Sequence, residues 1–122
     1  MKEKKFDLEE RLIEFAAQLI QFTESMVSSK SGNHLANQLL RSGTSPALNY
    51  GEAQGGESRK DFIHKFKVIL KELRETLIGL KIVERAGLHR DSLFLFRMKD
   101  ECNQLISIFV KSVLTAERNR FE

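Results

Sequence analysis

The sequence predicts an all-α protein, an antiparallel up-down four-helix bundle, and three observations carry that expectation. Proline occurs once in 122 residues. Apolar residues recur at steps of three and four rather than two. Breaks rich in glycine and serine divide the chain into segments of helical length. Short connections force successive helices to be neighbours, so the segments close into one expected domain, residues 1–122, with helices at about 7–27, 34–54, 59–86 and 92–118.

In the first segment Leu8, Leu12, Phe15, Ala16, Leu19 and Met26 share one face, and Asp7, three residues before Glu10, supplies a capped start. SSKSGN, residues 28–33, is a loop by composition. The second helix then begins near Asn33 or His34 and runs to Gln54, where Gly55 and Gly56 stop it. Its His34, Gln38, Arg41, Ser42, Ser45, Asn49 and Glu52 fall within about 100° of arc and read as a solvated face. Ala36, Leu39, Leu40, Gly43, Ala47 and Tyr50 occupy the other side. Small residues at 43, 47 and 51 let another helix come close. Gly43 with Pro46 predicts a kink, because Pro46 has no N–H for the Ser42 carbonyl and its ring crowds that group.

Ser58, three residues before Asp61, caps the third helix, which turns Phe62, Phe66, Ile69, Leu73, Leu77, Leu80 and Val83 inward and ends at Ala86 and Gly87. Asp91 or Ser92 caps the fourth, whose inward row is Leu95, Met98, Cys102, Leu105, Ile106, Phe109 and Val113. Apolar residues exceed what one such bundle buries. Ile13, Ile20 and Val27 form a second row on the first helix, Ile78 and Ile82 lie nearly opposite the core face of the third, and Phe94, Phe96, Ile108 and Leu114 lie off that of the fourth. Patches of this kind mark interfaces, so self-association is expected.

Charge is mildly basic, 20 Lys and Arg against 17 Asp and Glu for a net +3, which permits an anionic partner. Its distribution says more. Lys60, His64, Lys67, Lys71, Arg74, Lys81 and Arg85 project within about a 100° sector opposite the third helix's core row. Phosphate backbones attract such a stripe by counterion release. Lys71 with Glu75, and Lys67 with Glu72, are the expected local pairs on it. No aromatic platform for unstacked bases accompanies the stripe on this helix.

Catalytic and metal chemistry find little support. Cys102 is the single cysteine, so neither an intrachain disulfide nor a cysteine zinc site can form, and a reducing cytoplasm is the natural setting. Its place on an inward row makes it a small buried hydrophobe. His89-Arg90-Asp91 has the letters of a kinase catalytic loop, but Phe96 stands where its asparagine belongs, and the triplet reads as loop and cap. Asp61 and His64 form one Asp-x-x-His, where a bundle metal site needs two Glu-x-x-His pairs and further glutamates. DLEERLIEF interrupts any signal-peptide core, and no run is apolar enough to span a membrane. The expectation is a non-enzyme without catalytic residues, metal or cofactor.

QLLRSGTSPALNYGEA followed by SRKDFIHKFKVILKELRETLIGLKI strongly resembles the bacterial four-helix-bundle family named for 23S rRNA intervening-sequence proteins. Gln38, Arg41, Ser42, Ser45, Asn49, Glu52, Ser58, Asp61 and Phe62 match its pattern, whereas Pro46 departs from the apolar residue usual there. The match is most specific over residues 38 to about 83. The resemblance implies a bundle that assembles into a ring, commonly a homopentamer. It also implies kinship with the accessory variability proteins of diversity-generating retroelements, which bind nucleic acid beside a reverse transcriptase. It implies no catalytic activity. The resulting expectation is a cytoplasmic, homo-oligomeric protein that binds RNA or DNA through Lys60, Lys67, Lys71, Arg74, Lys81 and Arg85. The alternative is a structural or protein-binding oligomer.

Overall fold

The computed structural model describes residues 7–55 and 58–119. Four helices follow one another: α1 (Leu8–Glu24), α2 (Lys30–Ala53), α3 (Arg59–Ala86) and α4 (Ser92–Asn119). Each begins where a side-chain oxygen accepts from an otherwise unpaired backbone N–H. Asp7 accepts from Glu10 N at 3.2 Å, Ser29 from Gly32 N at 3.0 Å, Ser58 from Asp61 N at 3.1 Å and Asp91 from Phe94 N at 3.0 Å. His89-Arg90-Asp91 is therefore loop and cap. At the end of α3 the N–H groups of Gly87 and Leu88 bond to the carbonyls of Glu84 and Val83, at 3.2 and 3.0 Å, the double closure of a Schellman motif.

Two boundaries differ from the sequence expectation. α1 stops at Glu24 rather than 27, where the Ser25 hydroxyl donates back to the Gln21 carbonyl at 3.1 Å. α2 starts at Lys30, so most of SSKSGN is helix, not loop. Ser29 is the cap, and Gly32 belongs to the first turn because a β-carbon there would lie 2.0 Å from the Val27 carbonyl oxygen. Composition reads such a glycine as a breaker, when its role is to let the turn fold tightly over the preceding chain. α2 then continues as one helix through Gly43 and the buried Pro46.

Neighbouring helices run antiparallel. Lys65 on α3 meets Glu52 near the end of α2, while Arg41 meets Glu72 and Glu75 farther along. On α4, Glu117 pairs with Lys67 and Lys99 with Glu84. α1 and α4 close the circuit through Arg11, whose guanidinium donates to both Glu101 carboxylate oxygens at 2.7 and 3.0 Å and to Gln104 Oε1 at 2.7 Å. That arrangement places α1 and α3 on the diagonal, pointing the same way.

The core is continuous and built from all four helices: Leu12, Leu19 and Phe22, Leu39, Ile69, Leu73, Leu80 and Val83, and Met98, Cys102, Leu105 and Phe109 are essentially fully buried. The expected rows hold with local shifts. Ala16, Phe62, Leu77 and Ile106 are half-buried, and Phe22, Ile63 and Thr76 are buried in addition. Close approach of α1 and α2 depends on Gly43, where a β-carbon would fall 1.7 Å from Leu19 Cδ2. Gly51, the third of the small residues expected to face a helix, faces open space instead.

At one end of the bundle the two turns are latched together. Val27 N donates to Leu88 O at 2.8 Å, and the His89 ring stacks on Phe22 with centroids 4.1 Å apart. His89 Nδ1 accepts from Asp91 N at 3.1 Å, so its Nε2–H is the donor to Phe22 O at 3.2 Å.

The predicted apolar surplus is only partly outward. Val27, Phe94 and Ile108 are half-buried, the last two packed against the core. Ile13, Ile20, Ile78, Ile82, Phe96 and Leu114 are exposed as expected, and Leu48 and Leu93 join them.

Candidate nucleic-acid interface

The outward face of α3 is where charge collects. Helical periodicity sets Lys60, His64, Lys67, Lys71, Arg74, Lys81 and Arg85 away from the core, and all are exposed. The local pairs expected along the helix do not form. Lys67 instead reaches across to Glu117 of α4, Nζ to Oε2 2.6 Å. Glu72 and Glu75 turn sideways to Arg41 of α2, and Glu84 to Lys99 of α4. An acid at the flank of a helix can bond a neighbouring helix, whereas one at its outer face meets only water. Three of the four acids on α3 therefore spend their charge on bundle seams, and only Asp61, in the first turn, remains. Lys60, Lys71, Arg74, Lys81 and Arg85 make no ion pair among the described residues.

Two side chains interrupt the cationic row. Ile78 is 56 % exposed and Ile82 48 % exposed, and with Lys81, Arg85 and Ala86 they line an open surface depression of about 520 Å³. The face thus has a purely basic first part and an apolar-basic second part.

The polar stripe of α2 is not the solvated face that its composition suggests. Arg41 Nη1 lies 3.2 Å from Glu72 Oε1, and Nη2 bonds Glu75. Ser42 is buried, its hydroxyl 2.8 Å from that of Thr76. Glu52 accepts from Lys65 Nζ at 2.5 Å. Ser45 and Asn49 are half-buried and bond each other, Asn49 Nδ2 donating to Ser45 Oγ at 2.9 Å and to its carbonyl at 3.1 Å. Gln38, exposed like Arg41 and Glu52, is the one of the six that makes no side-chain bond among the described residues. Arg41, Ser42 and Glu52 thus belong to the α2–α3 seam. A residue-type scale puts Ser and Arg outside; only the partner helix, with Glu72 and Thr76 at matching positions, shows where they go.

Remaining candidates have local explanations. Cys102 Sγ donates to Leu73 O at 3.2 Å, and burial pushes its thiol up to about 12, which leaves it protonated and unreactive. Burial, reinforced by Glu9 and Asp7, also raises the Tyr50 phenol, and the hydrogen-bonded Glu101 raises the Arg11 guanidinium. Asp61 and His64 are both exposed, and among the described residues no three His, Cys, Asp or Glu side chains come together to hold a metal ion. Among those residues, too, no helix is long and apolar enough to cross a membrane.

Comparison with known proteins agrees with this architecture. The chain is similar to a crystal structure of a protein of unknown function from the S23 ribosomal protein family of Bacteroides thetaiotaomicron, at 25 % identity and a TM-score of 0.80, over 88 % of this chain and 98 % of that one. No curated protein matches it. The model of the family described as 23S rRNA-intervening sequence protein matches residues 4–111. Since that match spans most of the chain, the chain belongs to the 23S rRNA-intervening sequence protein family.

Proposed function

We propose that this protein is a non-enzymatic, cytoplasmic homo-oligomer that binds RNA or DNA through the basic face of α3 with little sequence preference. One observation carries the reading: Glu72, Glu75 and Glu84 of α3 are drawn into the seams with α2 and α4 while Lys60, Lys71, Arg74, Lys81 and Arg85 stay outward and unpaired among the described residues. A rigid helix displaying a row of cations is suited to follow a phosphate backbone, and contacts to phosphate carry no sequence information. The family resemblance supports assembly into a ring of several copies, and the exposed isoleucines supply apolar surface for it.

Fluorescence anisotropy with labelled RNA and DNA across a salt series tests this. Lys60→Glu combined with Lys67→Glu is expected to weaken binding about tenfold or more and to flatten the salt slope, with the oligomer unchanged. Absence of binding by the unmodified protein at low salt overturns the nucleic-acid reading. Light scattering tests assembly, and a monomer at micromolar concentration overturns that part. The second reading, an oligomer that docks proteins, is favoured by one feature: Ile78 and Ile82 stand bare within the cationic row.

A further inference from the structure

Between the start of α3 and the end of α4 lies an open depression of about 390 Å³, large enough for a small ligand. Its floor is aromatic. In the core Phe109 meets Phe66 edge-on with centroids 5.2 Å apart, and Phe66 stacks on Phe62 with centroids 4.3 Å apart and 30° between the planes. Phe66 is buried and Phe62 only half-buried, so a stack that starts inside the bundle ends on a ring bordering the depression. Phe62 belongs to the inward row by sequence, which is why the basic stripe of α3 reads as lacking a platform for bases.

Charge at the same place has one sign. Arg59 of α3 and Lys111 of α4 line the depression, both exposed and neither in an ion pair among the described residues. No acid lines it among those residues, and Glu117, on the adjoining turn of α4, is taken by Lys67. Ser112, Thr115 and Asn119 add side chains that can both donate and accept, none of them engaged by another side chain among the described residues. Two cations beside a flat apolar surface suit a ligand that is anionic on one side and aromatic on the other. Lys60, next in the chain to Arg59, begins the outward basic row, so a phosphate backbone that follows α3 reaches the depression at its end.

We infer that this depression takes one unpaired nucleotide of a single-stranded RNA or DNA, its base laid on Phe62 and its flanking phosphates held by Arg59 and Lys111. A base inside a duplex is already stacked on its neighbours and cannot reach the ring, whereas the face of an unpaired base is free to do so whatever its sequence. The inference rests on the nucleic-acid part of the proposed function and narrows it. A surface that reads phosphate alone favours the duplex, with its denser charge; a stacking ring beside the cations turns the preference toward single strands.

One labelled oligonucleotide, used as a single strand and annealed to its complement, tests this by anisotropy at matched salt. The unmodified protein is expected to bind the single strand more tightly. Phe62→Leu keeps an apolar side chain against Phe66 but removes the stacking ring, and should weaken single-strand binding about fivefold or more while leaving duplex binding unchanged. Lys111→Gln should lower the single-strand salt slope by about 0.7, one phosphate contact. A strand carrying 5-iodouridine, irradiated on the protein and mapped by mass spectrometry, should cross-link at Phe62. Duplex preferred to single strand, or Phe62→Leu affecting neither or both alike with helix content retained by circular dichroism, overturns the inference while leaving nucleic-acid binding intact. Binding of neither form by the unmodified protein at low salt removes both. Should Phe62→Leu fail to fold, Arg59→Gln with Lys111→Gln, both at exposed positions, carries the same comparison: equal losses for single strand and duplex count against the site.

Discussion

Ser42 on α2 and Thr76 on α3 share a hydrogen bond in the bundle interior, their oxygens 2.8 Å apart and their residues 1 % and 0 % exposed. Thr76 already donates to the Glu72 carbonyl at 2.9 Å, so Ser42 is the donor between the two hydroxyls. Thr76→Val therefore strands a buried hydroxyl and is expected to cost about 1–3 kcal/mol. Ser42→Ala leaves Thr76 its carbonyl and should cost less. The double variant Ser42→Ala, Thr76→Val should be more stable than the sum of the singles predicts; urea denaturation giving strict additivity would show the pair uncoupled.

Arg41 is the outer half of the same seam. Glu72 is nearly buried and relies on that guanidinium, so Arg41→Met leaves a carboxylate poorly solvated. Since the Arg41 side chain is itself 54 % exposed, water moderates the loss to about 1–2 kcal/mol. Glu72→Gln in the Arg41→Met background should recover part of it. No recovery in thermal or urea unfolding would place the effect of Arg41 elsewhere.

Gly43→Ala sets two effects against each other. Alanine favours helix over glycine by about 1 kcal/mol, but its β-carbon would overlap Leu19 Cδ2, and overpacking costs about 1–3 kcal/mol. Net destabilisation is expected, with recovery when Leu19→Val makes room. A Gly43→Ala variant more stable than the parent would show that α1 and α2 can separate without penalty.

These three positions show what the sequence discloses and what it hides. Periodicity in steps of three and four was enough to place the helices and nearly the whole core, while residue type marked the caps at Asp7 and Ser58 and left Asp91 or Ser92 for α4. It failed where a residue's role depends on its partner. Thr76 continues the inward row of α3 but is polar, so hydropathy passes it over in favour of Leu77. Ser42 and Arg41 read as surface for the same reason. Gly32 reads as loop although it packs a helical turn against the Val27 carbonyl. The basic face of α3 was visible because periodicity alone defines an outward face. Its freedom from local pairing was not, since Glu72, Glu75 and Glu84 leave it only through bonds to other helices.

Alkaline stability should report Cys102. Its thiol is raised to about 12 in the folded protein, above its ordinary value of about 8.5. Below that ordinary value both states hold the proton and the full contribution to stability is present. As pH rises toward 12 the unfolded chain ionises first, so stability falls, and Tyr50, raised by burial, adds in the same direction. Denaturation midpoints between pH 8 and 11 should decline, less steeply in Cys102→Ala. An identical slope in that variant would exclude the thiol as a contributor.

The seam between α2 and α3 has a consequence for how such a chain is recognised. Sliding one helix along the other by a turn would part Ser42 from Thr76 and Arg41 from its acids, so the letters that make this protein identifiable act as a key cut for one alignment. They certify shape and are mute about task. Whatever distinguishes the work of this chain has to be sought on its outer surfaces, where no lock constrains the choice of residue.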